Sequence, residues 1–160
     1  MKNPQTVAEN LYQQFPTLKL KSIKDNACCV FTFMWCMYLD PDDADAIITV
    51  GKMIDKGVLD QECTVYWNKV CEYLTGRSVS VQFVDIKDPK EVKKIKARTP
   101  VYYERTYLDS EGRKRKKGHW VGVENGKIAF NSLKESLSVK EGTPVKMRVL
   151  TFLGDICQKK

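Results

Sequence analysis

The sequence predicts an α+β domain, in which a helical N-terminal half precedes a strand-rich C-terminal half. Apolar residues recur at helical spacing as far as Thr75, and the pattern changes to alternation from Ser78 onward. The second half is also rich in valine, tyrosine and threonine, which favour strands. No internal repeat or low-complexity linker divides the chain, so residues 1–160 are predicted to form a single domain.

Helices are predicted at four places in the first half, with turn residues at their ends. They are residues 6–15, ended by Pro16; residues 28–39, ended before Pro41; residues 42–56, ended by Gly57; and residues 64–75, capped by Thr64 and ended by Gly76. Residues 28–39 are almost continuously apolar but too few to span a membrane, so this helix is expected to be buried on most sides. Asp25 or Asn26 is expected to cap its first turn.

The second half is predicted to form an antiparallel sheet. The expected strands are residues 78–84, 100–108, 118–124, 127–132 and 145–152, with a short basic helix at residues 89–97 that begins at Pro89. A run of five cations, expected as a loop, separates the second strand from the third: Arg113, Lys114, Arg115, Lys116 and Lys117. This run is either a solvated loop tip or a patch that attracts an acidic partner.

Composition restricts the class of protein. The chain lacks the basic-then-apolar start of a signal peptide and any long apolar run, so we expect a soluble, cytoplasmic protein without a membrane segment. It has six cysteines but no Cys-x-x-Cys pair and one histidine, which argues against a metal site, and nothing in it indicates a cofactor. Four cysteines in apolar elements are interpreted as buried small hydrophobes: Cys36, Cys63, Cys71 and Cys157. No aromatic residue interleaves the basic run, which argues against nucleic-acid binding.

Three residue types stand in an order that suits acyl transfer: Cys28, His119 and Asn131. Cys28 begins the apolar helix, where the helix dipole favours a thiolate. The sole histidine begins a predicted strand and could act as the base, and Asn131 on the next strand could hold its ring in the useful tautomer. The alternative is that all three are ordinary structural residues.

One turn decides whether His119 and Asn131 share a face of the sheet. A two-residue type I′ turn at Asn125-Gly126 would place His119 opposite Ser132, with Asn131 on the other face. A three-residue loop over residues 124–126, with Gly126 left-handed, would place His119 directly across from Asn131. Both loops suit an Asn-Gly sequence, and we prefer the three-residue form.

The chain resembles the papain-like cysteine peptidases, and within them the branch similar to bacteriocin leader peptidases. The resemblance covers roughly residues 20–135 and rests on Cys28-Cys29-Val30-Phe31-Thr32, Pro100-Val101, Gly118-His119-Trp120-Val121-Gly122-Val123 and Asn131. It implies a papain-like fold and a hydrolase that cleaves a peptide or amide bond of a peptide or protein substrate. Cys28 would be the nucleophile, His119 the base and Asn131 the orienting residue.

The sequence departs from that family in two ways. The family carries a glutamine shortly before the nucleophile to complete the oxyanion hole, and here only Asn26 offers an amide. The Gly-Pro after the nucleophile is replaced by Cys29-Val30, so that either of two adjacent thiols could be the nucleophile. The alternative is therefore a catalytically decayed papain-like binding protein that contacts an acidic partner through the basic run at residues 113–117.

Overall fold

The computed structural model describes residues 1–153, so Cys157 lies outside the described residues. The helices are Pro4–Gln14 (α1), Leu18–Asn26 (α2), Cys28–Cys36 (α3), Asp43–Asp55 (α4), Trp67–Thr75 (α5) and Leu137–Glu141 (α6). The strands are Ser78–Asp85 (β1), Thr99–Leu108 (β2), Lys114–Glu124 (β3), Lys127–Phe130 (β4) and Thr143–Leu153 (β5). A 3₁₀ helix covers Pro89–Lys94. The α+β prediction is confirmed, with helices in the first half and the sheet in the second.

Helix α2 is an element that the periodicity did not predict. It begins at Thr17, whose hydroxyl accepts the N–H of Leu20, and it ends only one residue before α3. Asp25 and Asn26 are therefore the last residues of α2, and the residue that precedes α3 is Ala27, with no side-chain cap. The prediction that Asp25 or Asn26 caps the apolar helix was wrong, because a separate helix already uses them.

Helix α5 begins later than predicted. Thr64 does not cap it, because the residue before the helix is Tyr66; the Thr64 N–H instead donates to the Asp60 carboxylate at 2.9 Å in the preceding turn. The end agrees with the prediction, since Gly76 takes the left-handed conformation at φ 68° that stops a helix.

The sheet has five antiparallel strands in the order β1-β5-β2-β3-β4. One face of β3 packs on the helices, where Trp120 contacts Trp67 edge-on and Gly122 lies under the ring of Trp35. The opposite face holds a second core, which includes Val101, Val121, Val123 and Val92. His119 lies on this opposite face by strand alternation.

Helix α3 is the centre of the main core. Seven consecutive residues, Val30 to Cys36, are buried, as its continuous apolar sequence predicts. Cys36, Cys63 and Cys71 are buried too, in agreement with their interpretation as small hydrophobes. Among residues 1–153, no helix is long and apolar enough to cross a membrane.

Candidate active site

The edge of β3 beside His119 is covered by a helix instead of a strand. Strand β4 ends at Phe130, which pairs with Gly122, so the main chain of Trp120 has no strand beside it on that edge. Helix α3 lies along this edge of β3 instead of a strand. Thr32 donates its hydroxyl to the Trp120 carbonyl at 3.2 Å, and the main-chain N–H of Trp120 lies close enough to Cys28 to lower the pKa of its thiol. These contacts fix the first turn of α3 against the residue that follows His119.

The imidazole of His119 is held by Asn131. His119 Nε2 lies 2.8 Å from Asn131 Oδ1, and the same oxygen accepts the main-chain N–H of Leu133 at 3.2 Å. Because an N–H donates to this atom, it must be the amide oxygen, so His119 Nε2 is the protonated nitrogen of the neutral ring. The lone pair is then on Nδ1, which leaves that nitrogen free to act as a base.

The hairpin reaches this geometry by a route that we did not expect. Asn125 and Gly126 both have positive φ, 52° and 73°, and Glu124 pairs with Lys127. The turn is thus the two-residue form, and our preference for the three-residue loop was wrong. The register then shifts by one, because Gly122 pairs with Phe130 while Val123 pairs with Ile128. This bulge at residue 129 moves Asn131 to the face of His119.

Cys28 and His119 line the same cleft, which has a volume of about 340 Å³. Gln5, Glu9, Lys24 and Asp25 form its helical end. The remaining lining residues form its sheet end, and they come from β2, β3, the segment before α6 and the first turn of α6: Arg105, Lys117, Gly118, Leu133, Glu135, Ser136, Leu137 and Ser138. The structure therefore places both predicted reactive residues on the wall of one cleft.

Burial controls the charge state of both reactive groups. It raises the pKa of the Cys28 thiol, and the N–H groups of Trp120, Cys29 and Cys28 offset only part of that effect. Burial also lowers the pKa of His119 against the opposing effect of its Asn131 bond, and the charge of Lys117 lowers it further. At neutral pH these shifts favour a neutral thiol and a neutral imidazole in the cleft, and the helix start does not by itself produce the thiolate that we expected.

The two adjacent cysteines occupy different surroundings. Cys28 lines the cleft with His119, whereas Cys29 is near the cations of Arg148 and Lys146, beneath the helix-facing side of the sheet. Burial raises the pKa of the Cys29 thiol well above its ordinary value. The geometry therefore distinguishes Cys28 as the thiol that can react with a molecule in the cleft.

Asn26 is not part of this cleft. It is exposed at the end of α2 and lines a separate surface groove that includes Leu18 and Gln61. An amide is nevertheless present, because Gln5 of α1 lines the cleft and is only 3 % exposed. Sequence reasoning missed Gln5, because the first helix was predicted to begin at residue 6 and α1 reaches the cleft only through long-range packing.

Gln5 is held rigidly by its neighbours. Its Nε2 donates to the Lys24 carbonyl at 2.9 Å, and its Oε1 accepts the Ser132 hydroxyl at 2.7 Å. Its main-chain N–H also donates to the Ser132 carbonyl at 2.9 Å. An amide nitrogen carries two hydrogens, so the bond to Lys24 leaves one donor that is not used by that contact.

Gly118 begins the His119 segment because a side chain would collide there. A Cβ at residue 118 would lie 1.8 Å from the ring of Tyr102, which crosses the strand at this point. Tyr102 in turn packs on Trp120 with ring centres 5.2 Å apart. The glycine thus lets an aromatic pair support the main chain on both sides of His119.

The basic run is a strand and not a loop. Residues 114–117 belong to β3 and pair with residues 105–108 of β2 in a hairpin closed by residues 109–113. Much of its charge is balanced internally, since Asp109 binds both Arg113 and Arg115 at 3.0 Å and Glu104 binds Lys116 at 2.8 Å. The expectation that these residues form a loop was wrong, because residues 114–117 pair with residues 105–108 and extend the hairpin.

Comparison with known proteins adds no relative: no protein-family model, no curated protein and no solved structure matches this chain. The residues that the structure describes also contain no group of three or more His, Cys, Asp or Glu side chains placed to hold a metal ion. The case for a function therefore rests on the geometry of the cleft.

Proposed function

We propose that the protein is a papain-like cysteine hydrolase that cleaves a peptide or amide bond with Cys28, His119 and Asn131. The observation that supports it best is the bond between His119 Nε2 and Asn131 Oδ1 at 2.8 Å, in a cleft that Cys28 also lines. This bond leaves Nδ1 of the imidazole as the basic nitrogen, which is the arrangement that a base beside a thiol requires.

The reaction would begin from the neutral pair. The thiol proton of Cys28 passes to Nδ1 of His119 as the sulfur attacks the substrate carbonyl carbon. The imidazolium then returns the proton to the leaving amine as the carbon–nitrogen bond breaks, which produces a thioester on Cys28. Water, deprotonated by His119, hydrolyses that thioester and restores the thiol. Asn131 keeps the ring oriented and accepts from Nε2 throughout.

Negative charge develops on the carbonyl oxygen during each attack. The main-chain N–H of the nucleophile is one donor for it, as in other acyl-transfer sites at helix starts. The unused hydrogen of the Gln5 amide is the second donor that we propose. Gln5 would take the role that the resemblance assigns to a glutamine nearer the nucleophile, although it comes from a different helix.

The test is labelling by iodoacetamide at neutral pH, followed by mass spectrometry of the peptide that contains both adjacent cysteines. Cys28→Ala should remove the fast labelling, and Cys29→Ala, the matched control, should retain it. His119→Ala should slow labelling of Cys28 by about tenfold or more, since a positioned base contributes at least that much. Unchanged labelling in Cys28→Ala, or equal labelling of both thiols, would contradict the proposal.

The alternative, a decayed papain-like protein that binds an acidic partner through residues 113–117, stays a prediction. It requires salt-sensitive binding that charge reversal of Lys114 and Lys116 abolishes. The carboxylates of Asp109 and Glu104 already bind three of those five cations, which makes the hairpin a weaker attractor than its sequence indicates. Retained thiol chemistry after such charge reversal would favour the hydrolase.

A further inference from the structure

Two cationic residues lie side by side on the sheet, next to His119. Arg105 on β2 pairs with Lys117 on β3, and the next pair on the same face along these strands is Tyr103 with His119. Residues two apart on a strand are about 7 Å apart, so the main chains of Arg105 and Lys117 lie about one pair of residues along the sheet from those of Tyr103 and His119. Both also line the cleft that Cys28 and His119 share.

Arg105 has more hydrogen-bonding capacity than its neighbours use. Its side chain is 17 % exposed and its Nη1 donates to Glu141 at 2.9 Å. Its Nε is buried and has no hydrogen-bond partner among the residues that the structure describes. A guanidinium carries five N–H donors, and a buried donor without an acceptor is costly. A carboxylate that entered the cleft would be an acceptor for the guanidinium donors that Glu141 does not use.

Lys117 contributes a second charge that no carboxylate balances within residues 1–153. Its proximity to the active centre is evident from its effect on His119, whose pKa it lowers. Its main-chain carbonyl is held by the Ser138 hydroxyl at 3.1 Å, which fixes the strand at this residue. The ammonium is therefore positioned beside the imidazole but remains available to a ligand.

The other charges of the cleft are paired or lie at its far end. Lys24 binds Asp25 at 2.5 Å, and Glu135 binds Lys140 outside the cleft. Glu9 lies on α1, at the helical end. Lys117 is consequently the cation at the β2–β3 end that no carboxylate of residues 1–153 binds, and Arg105 beside it is bound by Glu141 through Nη1.

We propose that Arg105 and Lys117 form a subsite for a substrate carboxylate, so that the hydrolase prefers an acidic residue next to the scissile bond. This inference rests on the proposed function and narrows its substrate class. It differs from recognition by the hairpin tip, because Arg105 lies outside the basic run and the two cations meet inside the cleft.

The test uses matched pairs of short peptides that carry a thiol-directed electrophile. Within each pair the residue next to the reactive carbon is Asp or Asn, or Glu or Gln, with the residue placed on either side of that carbon. The rate of Cys28 modification is measured by mass spectrometry in the full-length protein. We expect the acidic peptide to react about tenfold faster in one of the two placements, as a charged hydrogen bond allows.

Substitutions then test which residues cause the preference for the acidic peptide. Arg105→Gln and Lys117→Gln should each bring the ratio of the acidic to the neutral rate, measured within the same variant, close to one. Lys127→Gln removes a positive charge of the sheet outside the cleft and should leave the preference intact. Glu141→Gln breaks the ion pair of Arg105 and leaves the guanidinium donors in place, so this variant should still prefer the acidic peptide. If the role of Arg105 were purely structural, the preference should be lost in Glu141→Gln.

The outcomes separate the two proposals. If Cys28 reacts with none of the peptides, the hydrolase itself is refuted. If Cys28 reacts equally with acidic and neutral peptides in both placements, the hydrolase stands and the carboxylate subsite is overturned. A preference that survives in both Arg105→Gln and Lys117→Gln would also overturn the subsite.

Discussion

Nε2 of His119 lies 2.8 Å from Oδ1 of Asn131, although the turn that joins their strands has the form that would have separated them. The bulge at residue 129 places Asn131 on the same face of the sheet as His119. Two independent features of the hairpin thus combine to give one hydrogen bond. That bond selects the tautomer of the only histidine in the chain.

Removal of the Asn131 acceptor should impair both the base and the fold. In Asn131→Ala the imidazole loses its orientation, so labelling of Cys28 at neutral pH should slow by about tenfold or more. Unfolding should also become easier by about 1 kcal/mol, because the Leu133 N–H loses its acceptor as well. Iodoacetamide kinetics and urea denaturation measure the two effects. Asn131→Asp keeps an acceptor in place and serves as the matched control; wild-type kinetics in Asn131→Ala would contradict the assignment.

Stability should decrease when His119 is protonated. Burial lowers the pKa of His119 in the folded protein below its ordinary value of 6.5, so the unfolded chain binds a proton more readily. The contribution of His119 to the free energy of unfolding is fully present above pH 6.5. It decreases as the pH falls below 6.5, until the pH has passed the pKa of His119 in the folded protein. Denaturant unfolding at a series of pH values below 6.5 should show a decrease in the free energy of unfolding, and this decrease should be smaller in His119→Gln. An identical decline in both proteins would exclude His119 as its source.

The reactivity of Cys28 should rise with pH without levelling off near neutrality. Burial raises the thiol pKa above its ordinary value of 9.0, so the fraction present as thiolate still increases there. The rate of alkylation by iodoacetamide should follow that increase, with free cysteine as the reference compound. A plateau at neutral pH would indicate a preformed thiolate–imidazolium pair and would contradict the neutral resting state.

Local chemistry made the coarse α+β fold predictable, whereas the long-range contacts were not. Continuous apolar residues predicted α3, and Gly76 predicted the end of α5, because each depends on a few adjacent side chains. Helix α2 was missed because its sequence is polar and it is stabilised largely by packing on α1 and α4. Gln5 was missed for the same reason, since only folding brings α1 next to Cys28. The bulge at residue 129 had no sequence indication at all.

Gly122 should be intolerant of any side chain. A Cβ there would lie 2.4 Å from the ring of Trp35, which is 7 % exposed and stacks on Phe130. Gly122→Ala should therefore lower the free energy of unfolding by about 1–3 kcal/mol, as overpacked cores do. Thermal or urea unfolding measures it. Gly112→Ala is a control for glycine substitution without a steric collision, because open space surrounds that position, although its φ of 73° adds backbone strain.

Gln5 should matter for acyl transfer and not for alkylation. Alkylation by iodoacetamide develops no oxyanion, whereas attack on an ester carbonyl does, so only the second reaction needs an amide donor. Gln5→Met keeps the length of the side chain and removes the donor. We expect it to slow acylation by p-nitrophenyl acetate by about 10²-fold, as loss of one oxyanion donor does elsewhere, with little change in iodoacetamide labelling.

A control variant separates this role from the structural one. Ser132→Ala removes the hydroxyl that binds Gln5 Oε1 at 2.7 Å but leaves the amide donor in place. It should lower the free energy of unfolding by about 1–3 kcal/mol, because the Gln5 oxygen is left buried without that partner, and it should retain most of the acylation rate. If Gln5→Met instead slows both reactions equally, Gln5 acts only by holding α1 against residue 132, and the second oxyanion donor must be sought elsewhere.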